Sequence, residues 1–422
     1  MTEPTGTSPR TPVVDAKETF RRVKRHFSPA LAVAGRFTGQ GAVEAAAEGS
    51  RVTLSDGREV LDFGSYAVAL LGHRNPAIVE AVRAQLDVMP TSTRSVQSPV
   101  APLAAERLTA YLGGSLGRVY FGCGGADVVE ASVKLARMAT GRTTVVAVRG
   151  AFHGKTLGAL ALTDNPRFKA GLEPLLQGVV HIDPDDPEAV AKVVREHDVA
   201  ALVFEPVQAE NGVRLLDPAV LARWCRDAHG HGALVVADEI QAGLRRCGAP
   251  SLALEYGLGV DGVLLGKPLG GGVLPVSAVV GNDALFAPLL ADPMLHTATF
   301  SGHPLSTAVI PRALDLVEEW AENGDMLARA MEQGLADLRE AHPEAVAATR
   351  GRGLLWGVDL RTPELAGGVL TGLAQRSVVV SPCLSRPATI RLLPPIVATE
   401  TEVKEAMALL SDAVAEAALA AA

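Results

Sequence analysis

The way short apolar runs alternate with longer helical patterns predicts an α/β fold. A mostly parallel sheet flanked by helices forms a large domain, and a smaller α+β domain accompanies it. Three observations carry this. The middle of the chain repeats β-branched runs separated by segments of helical period. Those runs are nearly continuous in apolar residues, as strands buried on both faces must be. The last hundred residues then shift to Ala/Glu/Leu-rich helices with short strands between them.

Taken in order, the segment Met1–Pro12 is polar and rich in Pro and Thr, and it lacks the apolar stretch of a signal peptide. Residues 1–20 are expected to be a disordered tail. Residues 21–75 form the N-terminal part of the small domain, with strands at Arg51–Leu54 and Glu59–Asp62 turning at Asp56-Gly57. The large domain runs over 76–315. Its strands are Thr144–Val148, Ala200–Phe204, Ala233–Ala237, Gly262–Leu265 and Val276–Val280. Val128, Ala131, Leu135 and Met138 step by three and four, which predicts a helix over Asp127–Met138. Another starts at Pro218, a residue suited to a first helical turn. A long helix over Pro304–Trp320 leads into the C-terminal small domain, 316–422, with strands at Leu354–Asp359 and Thr389–Leu393.

Composition narrows the function classes. Hydrophobic residues are 48% and charged residues 20%, which excludes global disorder. The net charge of −8 argues against nucleic acid or an anionic membrane as partner, and an aromatic share of 4% disfavours base stacking. Cys123, Cys225, Cys247 and Cys383 make no C-x-x-C pair, so the reading is reduced thiols in the cytoplasm, with neither a metal site nor a disulfide framework. The most apolar long window, Val263–Gly281, holds Lys267, two prolines and a Gly triplet, so no segment reads as a membrane span.

The polar residues fall where the chemistry should be. Three predicted strands end in Glu205, in Asp238-Glu239 and in Gly266-Lys267. In an open parallel sheet, strand carboxyl ends converge on one crevice. A lysine beside a buried strand loses solvation, so its amine becomes nucleophilic and suited to a Schiff base. A carboxylate at position 238 can keep a proton on a ligand's ring nitrogen, making that ring an electron sink. The rival is a nucleotide-binding site, with Asp238 as a magnesium-holding acid and Gly150-Ala151-Phe152-His153-Gly154-Lys155-Thr156 as a phosphate loop. That loop needs four residues between its glycines and here has three. Gly122-Cys123-Gly124-Gly125-Ala126 precedes a helix, where free backbone N–H groups and the helix dipole favour an anion.

Together these segments resemble the class III aminotransferases, pyridoxal-phosphate enzymes of fold type I. The resemblance covers about residues 20–415. It rests on an ordered series: Gly124-Gly125-Ala126, Phe152-His153-Gly154, Glu205-Pro206-Val207-Gln208, Asp238-Glu239-Ile240-Gln241, Lys267-Pro268-Leu269-Gly270-Gly271-Gly272 and His296-Thr297-Ala298-Thr299-Phe300. Gly72-His73-Arg74-Asn75-Pro76 and Ile390-Arg391-Leu392-Leu393-Pro394-Pro395 match the family's flanking landmarks. Within the family, the stretches around Thr299, Gly270 and Arg391 look most like the putrescine branch, with the ornithine enzymes next.

The resemblance implies a seven-stranded-type sheet, pyridoxal 5'-phosphate as cofactor and a homodimer with the site at the subunit interface. It implies that Lys267 is the Schiff-base lysine and proton carrier, and that Asp238 pairs with the cofactor's ring nitrogen. Gly124, Gly125 and Ala126 would face the phosphate, Phe152 would stack on the ring beside His153, and Gln241 would lie near the phenolic oxygen. Thr299 would reach the phosphate of the neighbouring subunit. Arg391 would clamp a substrate carboxylate, Glu210 would close that arginine when the substrate end is uncharged, and Tyr66 would touch substrate. The implied reaction moves an amino group from a diamine or ω-amino acid to 2-oxoglutarate or pyruvate. The alternative is another reaction on the same cofactor: aminomutase, racemase or decarboxylase. Cys123 and Gly124 stand where the family usually has Asn-Ser, which removes one hydroxyl donor to the phosphate.

Overall fold

A computed structural model describes residues 15–421. Its centre is a seven-stranded sheet in the order Arg118–Gly122, Ser277–Gly281, Gly262–Leu265, Leu234–Asp238, Val199–Phe204, Thr144–Val148 and Val179–Ile182. Ser277–Gly281 runs antiparallel to both of its neighbours, and the remaining pairs are parallel. The period of two along each strand sends side chains to two cores. Leu202, Phe204, Val235, Ala237, Val263 and Leu265 enter one layer, while Ala201, Val203, Val236 and Leu264 enter the other. Both faces are dry, so the apolar runs have no polar alternation, and each buried Val, Leu or Phe stabilises by roughly 1.5–3 kcal/mol.

A second core joins the two ends of the chain. Leu61 and Phe63 pack with Val358, Ile390, Val403 and Leu410. Strands Glu44–Glu48, Arg51–Leu54 and Glu59–Asp62 form a sheet that Val378–Val379 completes in parallel. Val346–Arg352, Leu355–Leu360, Thr389–Leu392 and Ser381–Pro382 form another, wholly antiparallel. The turn between Arg51–Leu54 and Glu59–Asp62 is closed by Gly57, at φ +86°, and by the Asp56 side chain accepting from Arg58 N.

The structure departs from the sequence reading in three places. Residues 16–20, placed in a disordered tail, begin the helix Ala16–His26; residues 1–14 lie outside the described part. Asp15 caps that helix by accepting from Glu18 N, and Glu18 pairs with Arg21 and Arg22 one turn on. The helix Pro76–Val88 seats Ile78 in the second core rather than against the large sheet. The long helix over Pro304–Trp320 is two, Pro304–Ala308 and Ile310–Glu319, because Pro311 has no N–H to give to the carbonyl of Thr307. Among the described residues, no helix is long and apolar enough to cross a membrane.

Candidate active site

The carboxyl ends of Val199–Phe204, Leu234–Asp238 and Gly262–Leu265 deliver Glu205, Asp238 and Lys267 to one crevice. Asp238 is buried. Its Oδ2 lies 2.7 Å from His153 Nδ1, and its Oδ1 accepts from Ile240 N at 3.1 Å. His153 is fixed from behind, since its N–H donates to Thr163 Oγ1 at 2.9 Å. Glu205, also buried, accepts from Phe152 N at 2.8 Å and so ties down the loop that carries both Phe152 and His153. Burial, reinforced by the nearby Asp238 charge, raises the Glu205 carboxyl well above its usual range.

Lys267 follows its strand with φ +44°, a left-handed conformation that a side chain tolerates only when its surroundings enforce it. Burial pushes its amine below the ordinary lysine range, and Asp238 and then Glu210 pull the other way. Ile240 sets the spacing of the floor. A Cβ on Gly125 or on Gly266 would stand 3.2 Å from its side chain, so either substitution would press Ile240 aside.

Gly124 caps the helix Gly125–Thr140, and Asp127 Oδ2 accepts from the N–H groups of Cys123 and Gly124. The amides of Gly125 and Ala126 stand in the first turn of that helix, where no intrahelical carbonyl can reach them. Phe152 meets Phe168 edge-on at 6.4 Å, and Lys155 Nζ sits 4.2 Å above the Phe168 ring. Thr156, the last residue of the loop that the nucleotide reading invoked, donates its hydroxyl to Glu130 at 2.6 Å.

A second cluster faces Lys267 from the side. Arg391 is 1% exposed, and its Nη1 donates to Glu210 Oε1 at 2.6 Å. The other Glu210 oxygen accepts from Leu384 N at 3.0 Å, and Arg391 Nη2 reaches the Pro382 carbonyl at 3.3 Å. Tyr66 stands exposed on the Ser65–Ala67 turn, which packs on the Lys267–Gly270 turn. Thr299 is not brought into this group. It lies in the exposed loop after Leu295, where Arg94 donates to its carbonyl at 3.0 Å and a cleft of about 630 Å³ opens beside it. Sequence reasoning had no signal for Thr163 as the anchor of His153. Glu239, beside the key aspartate, turns away to accept from Ser251 Oγ, Leu252 N and Ala253 N.

Three features fit pyridoxal phosphate. The buried Gln241 Nε2 has no partner among the described residues, the lysine amine is desolvated, and the helix start offers free N–H groups to an anion. The family model "Aminotransferase class-III" matches residues 39–414. A putrescine aminotransferase of Pectobacterium atrosepticum is 36% identical over 378 residues, covering 86% of this chain and 80% of that protein. Among solved structures, the ornithine aminotransferase of Toxoplasma gondii superposes with a TM-score of 0.87 at 26% identity, over 96% of each chain. An amine transaminase from an uncultivated Pseudomonas species, in its PLP-bound form, reaches 0.80 at 26% identity, over 89% of this chain and 95% of that one.

Proposed function

The chain belongs to the class III aminotransferases and uses pyridoxal 5'-phosphate, and from that premise we propose that it takes an amino group from a diamine or an ω-amino acid and passes it to a 2-oxo acid. The carrying observation is the buried Glu210–Arg391 pair. An open Arg391 would demand an α-carboxylate on the substrate. Closed by Glu210, it presents a neutral wall that accepts an amine without one, because burying an uncompensated guanidinium is far costlier than burying the pair.

The residues divide the work. When bound, the cofactor supplies an aldehyde for capturing amines and a ring that withdraws electrons from the substrate carbon. Asp238 would hold the ring-nitrogen proton, and His153, 2.7 Å from it, orients that carboxylate. The free amides of Gly125 and Ala126 would receive the phosphate, with the Gly124 N–H held by Asp127 at the edge of that cradle, Phe152 would cover the ring, and Gln241 Nε2 would donate to the phenolic oxygen. Lys267 Nζ is the group that would carry the proton of the substrate's amine-bearing carbon, and its lowered pKa suits that base role. Tyr66 meets the substrate's distal end.

We also read the enzyme as a cytoplasmic homodimer whose sites lie at the seam. The exposed Phe300 and the cleft along Thr299 support this, as surfaces that a second copy would cover. The functional test is a panel of donors (putrescine, ornithine, β-alanine, glutamate) against pyruvate and 2-oxoglutarate. Ping-pong kinetics with diamines or ω-amino acids are expected. Turnover confined to α-amino donors would overturn the ω-amine reading.

A further inference from the structure

Ser65, Tyr66 and Ala67 have φ of +43°, +50° and +65°, one turn of left-handed backbone made without glycine. Single left-handed residues occur in turns, but three in succession with side chains persist only where neighbours impose them, and such strain gathers at functional sites. The neighbours here are specific. Asp62, buried, accepts from Gly64 N at 2.9 Å through Oδ1. Its Oδ2 accepts from Ser65 Oγ and lies 2.7 Å from His73 Nε2. On the entry side, the Phe63 carbonyl accepts from Leu393 N at 2.7 Å. On the exit side, the Leu70 carbonyl accepts from Ile396 N, also at 2.7 Å.

The turn is aimed at the site. It packs on the Lys267–Gly270 turn, and Ala67 is buried among Ala209 and Ala242, the neighbours in sequence of Glu210 and Gln241. Tyr66, between two anchored residues, is 68% exposed. A side chain held by three strained residues yet left uncovered is being presented, not stored.

We propose that Asp62, with His73, is a positioning group that clamps the Ser65–Ala67 turn and so sets the Tyr66 ring against the distal end of the donor amine. This rests on the transaminase reading only for what Tyr66 meets; the clamp itself is a statement about the backbone.

The experiment uses the holoenzyme in two arms. Hydrogen exchange is followed on the peptide covering residues 63–72 in wild type, Asp62→Asn and His73→Gln. Donor and acceptor kinetics are then measured for these variants, alone and combined with Tyr66→Ala. Exchange at 63–72 should rise in both clamp variants. Donor KM should rise about tenfold with kcat within about threefold, and the clamp variants should add nothing in the Tyr66→Ala background. Unchanged exchange in His73→Gln overturns the clamp, whatever reaction the enzyme catalyses. Raised exchange with an undiminished KM effect in the Tyr66→Ala background overturns the route through Tyr66. Raised exchange with no turnover of any amine by wild type leaves the clamp standing and sinks the transaminase reading instead. His73→Gln covers the case in which Asp62→Asn does not fold.

Discussion

His153 Nδ1 lies 2.7 Å from Asp238 Oδ2, and both side chains are buried. The pairing orients the imidazole, and its Nε2 is left buried with no partner among the described residues. Asp238→Asn keeps an oxygen for the Ile240 N–H but loses the charge that holds a ring proton. Turnover should fall by about 10²–10³-fold, the range for removing one preorganised electrostatic contact, while the melting temperature stays near that of wild type. Single-turnover measurements with a saturating donor check this; an Asn variant with near-native turnover would remove Asp238 from the chemistry.

Lys267→Met should abolish turnover and stabilise the cofactor-free protein, because it replaces a desolvated amine with an apolar chain of similar length. The pH dependence follows from the lowered amine. Between its folded value and the ordinary lysine value near 10.4, the unfolded chain binds a proton that the folded chain does not. Wild-type stability therefore rises with pH across that window. The advantage of Lys267→Met in melting temperature should shrink as pH approaches 10. A constant difference from pH 7 to 10 would mean that the amine is solvated.

Much of this site could be read from the sequence because its key residues lie within two positions of strand ends, and strands buried on both faces announce themselves as apolar runs. Glu205, Asp238 and Lys267 were found that way. The sheet's outermost strands were not predicted: Val179–Ile182 is only partly buried, and Arg118–Gly122 begins exposed, so neither forms a clean run. The role of Glu205 was also hidden, since its partner Phe152 N is 53 residues away in sequence. The Asp62–His73 contact spans only 11 residues, but nothing in either residue type distinguishes it from a surface pair. The left-handed Ser65–Ala67 turn breaks local preference and is legible only in the backbone.

The Asp62–His73 pair makes a signed stability prediction. Asp62 raises the imidazole above its ordinary value, burial opposes this, and Glu44 adds a smaller pull in the same direction as Asp62. A raised folded value means the contribution is fully present below the unfolded pKa near 6.5 and is lost as pH rises through the folded value. For this partly buried ring, screening leaves roughly 1 kcal/mol. Wild type should melt above His73→Gln at pH 5.5–6.5, and the gap should close as pH rises above that range. A gap that widens with pH would reverse the assigned charge state.

Arg391 and Glu210 predict opposite donor preferences. Arg391→Ala removes the group that would hold the α-carboxylate of an amino-acid donor and leaves Glu210 bonded to Leu384 N. Use of glutamate should fall by at least about tenfold in kcat/KM, the scale of losing a charged hydrogen bond, while diamine use falls much less. Glu210→Ala strands a guanidinium that is 1% exposed beside the substrate path. An isolated buried cation attracts any carboxylate that reaches it and repels an ammonium, so the same ratio should move the other way, towards glutamate. The checking quantity is kcat/KM for glutamate divided by that for putrescine, measured in both variants. If both substitutions move the ratio in the same direction, Glu210 and Arg391 do not work as a switch, and the pair holds the Pro382–Leu384 segment in place without selecting substrates.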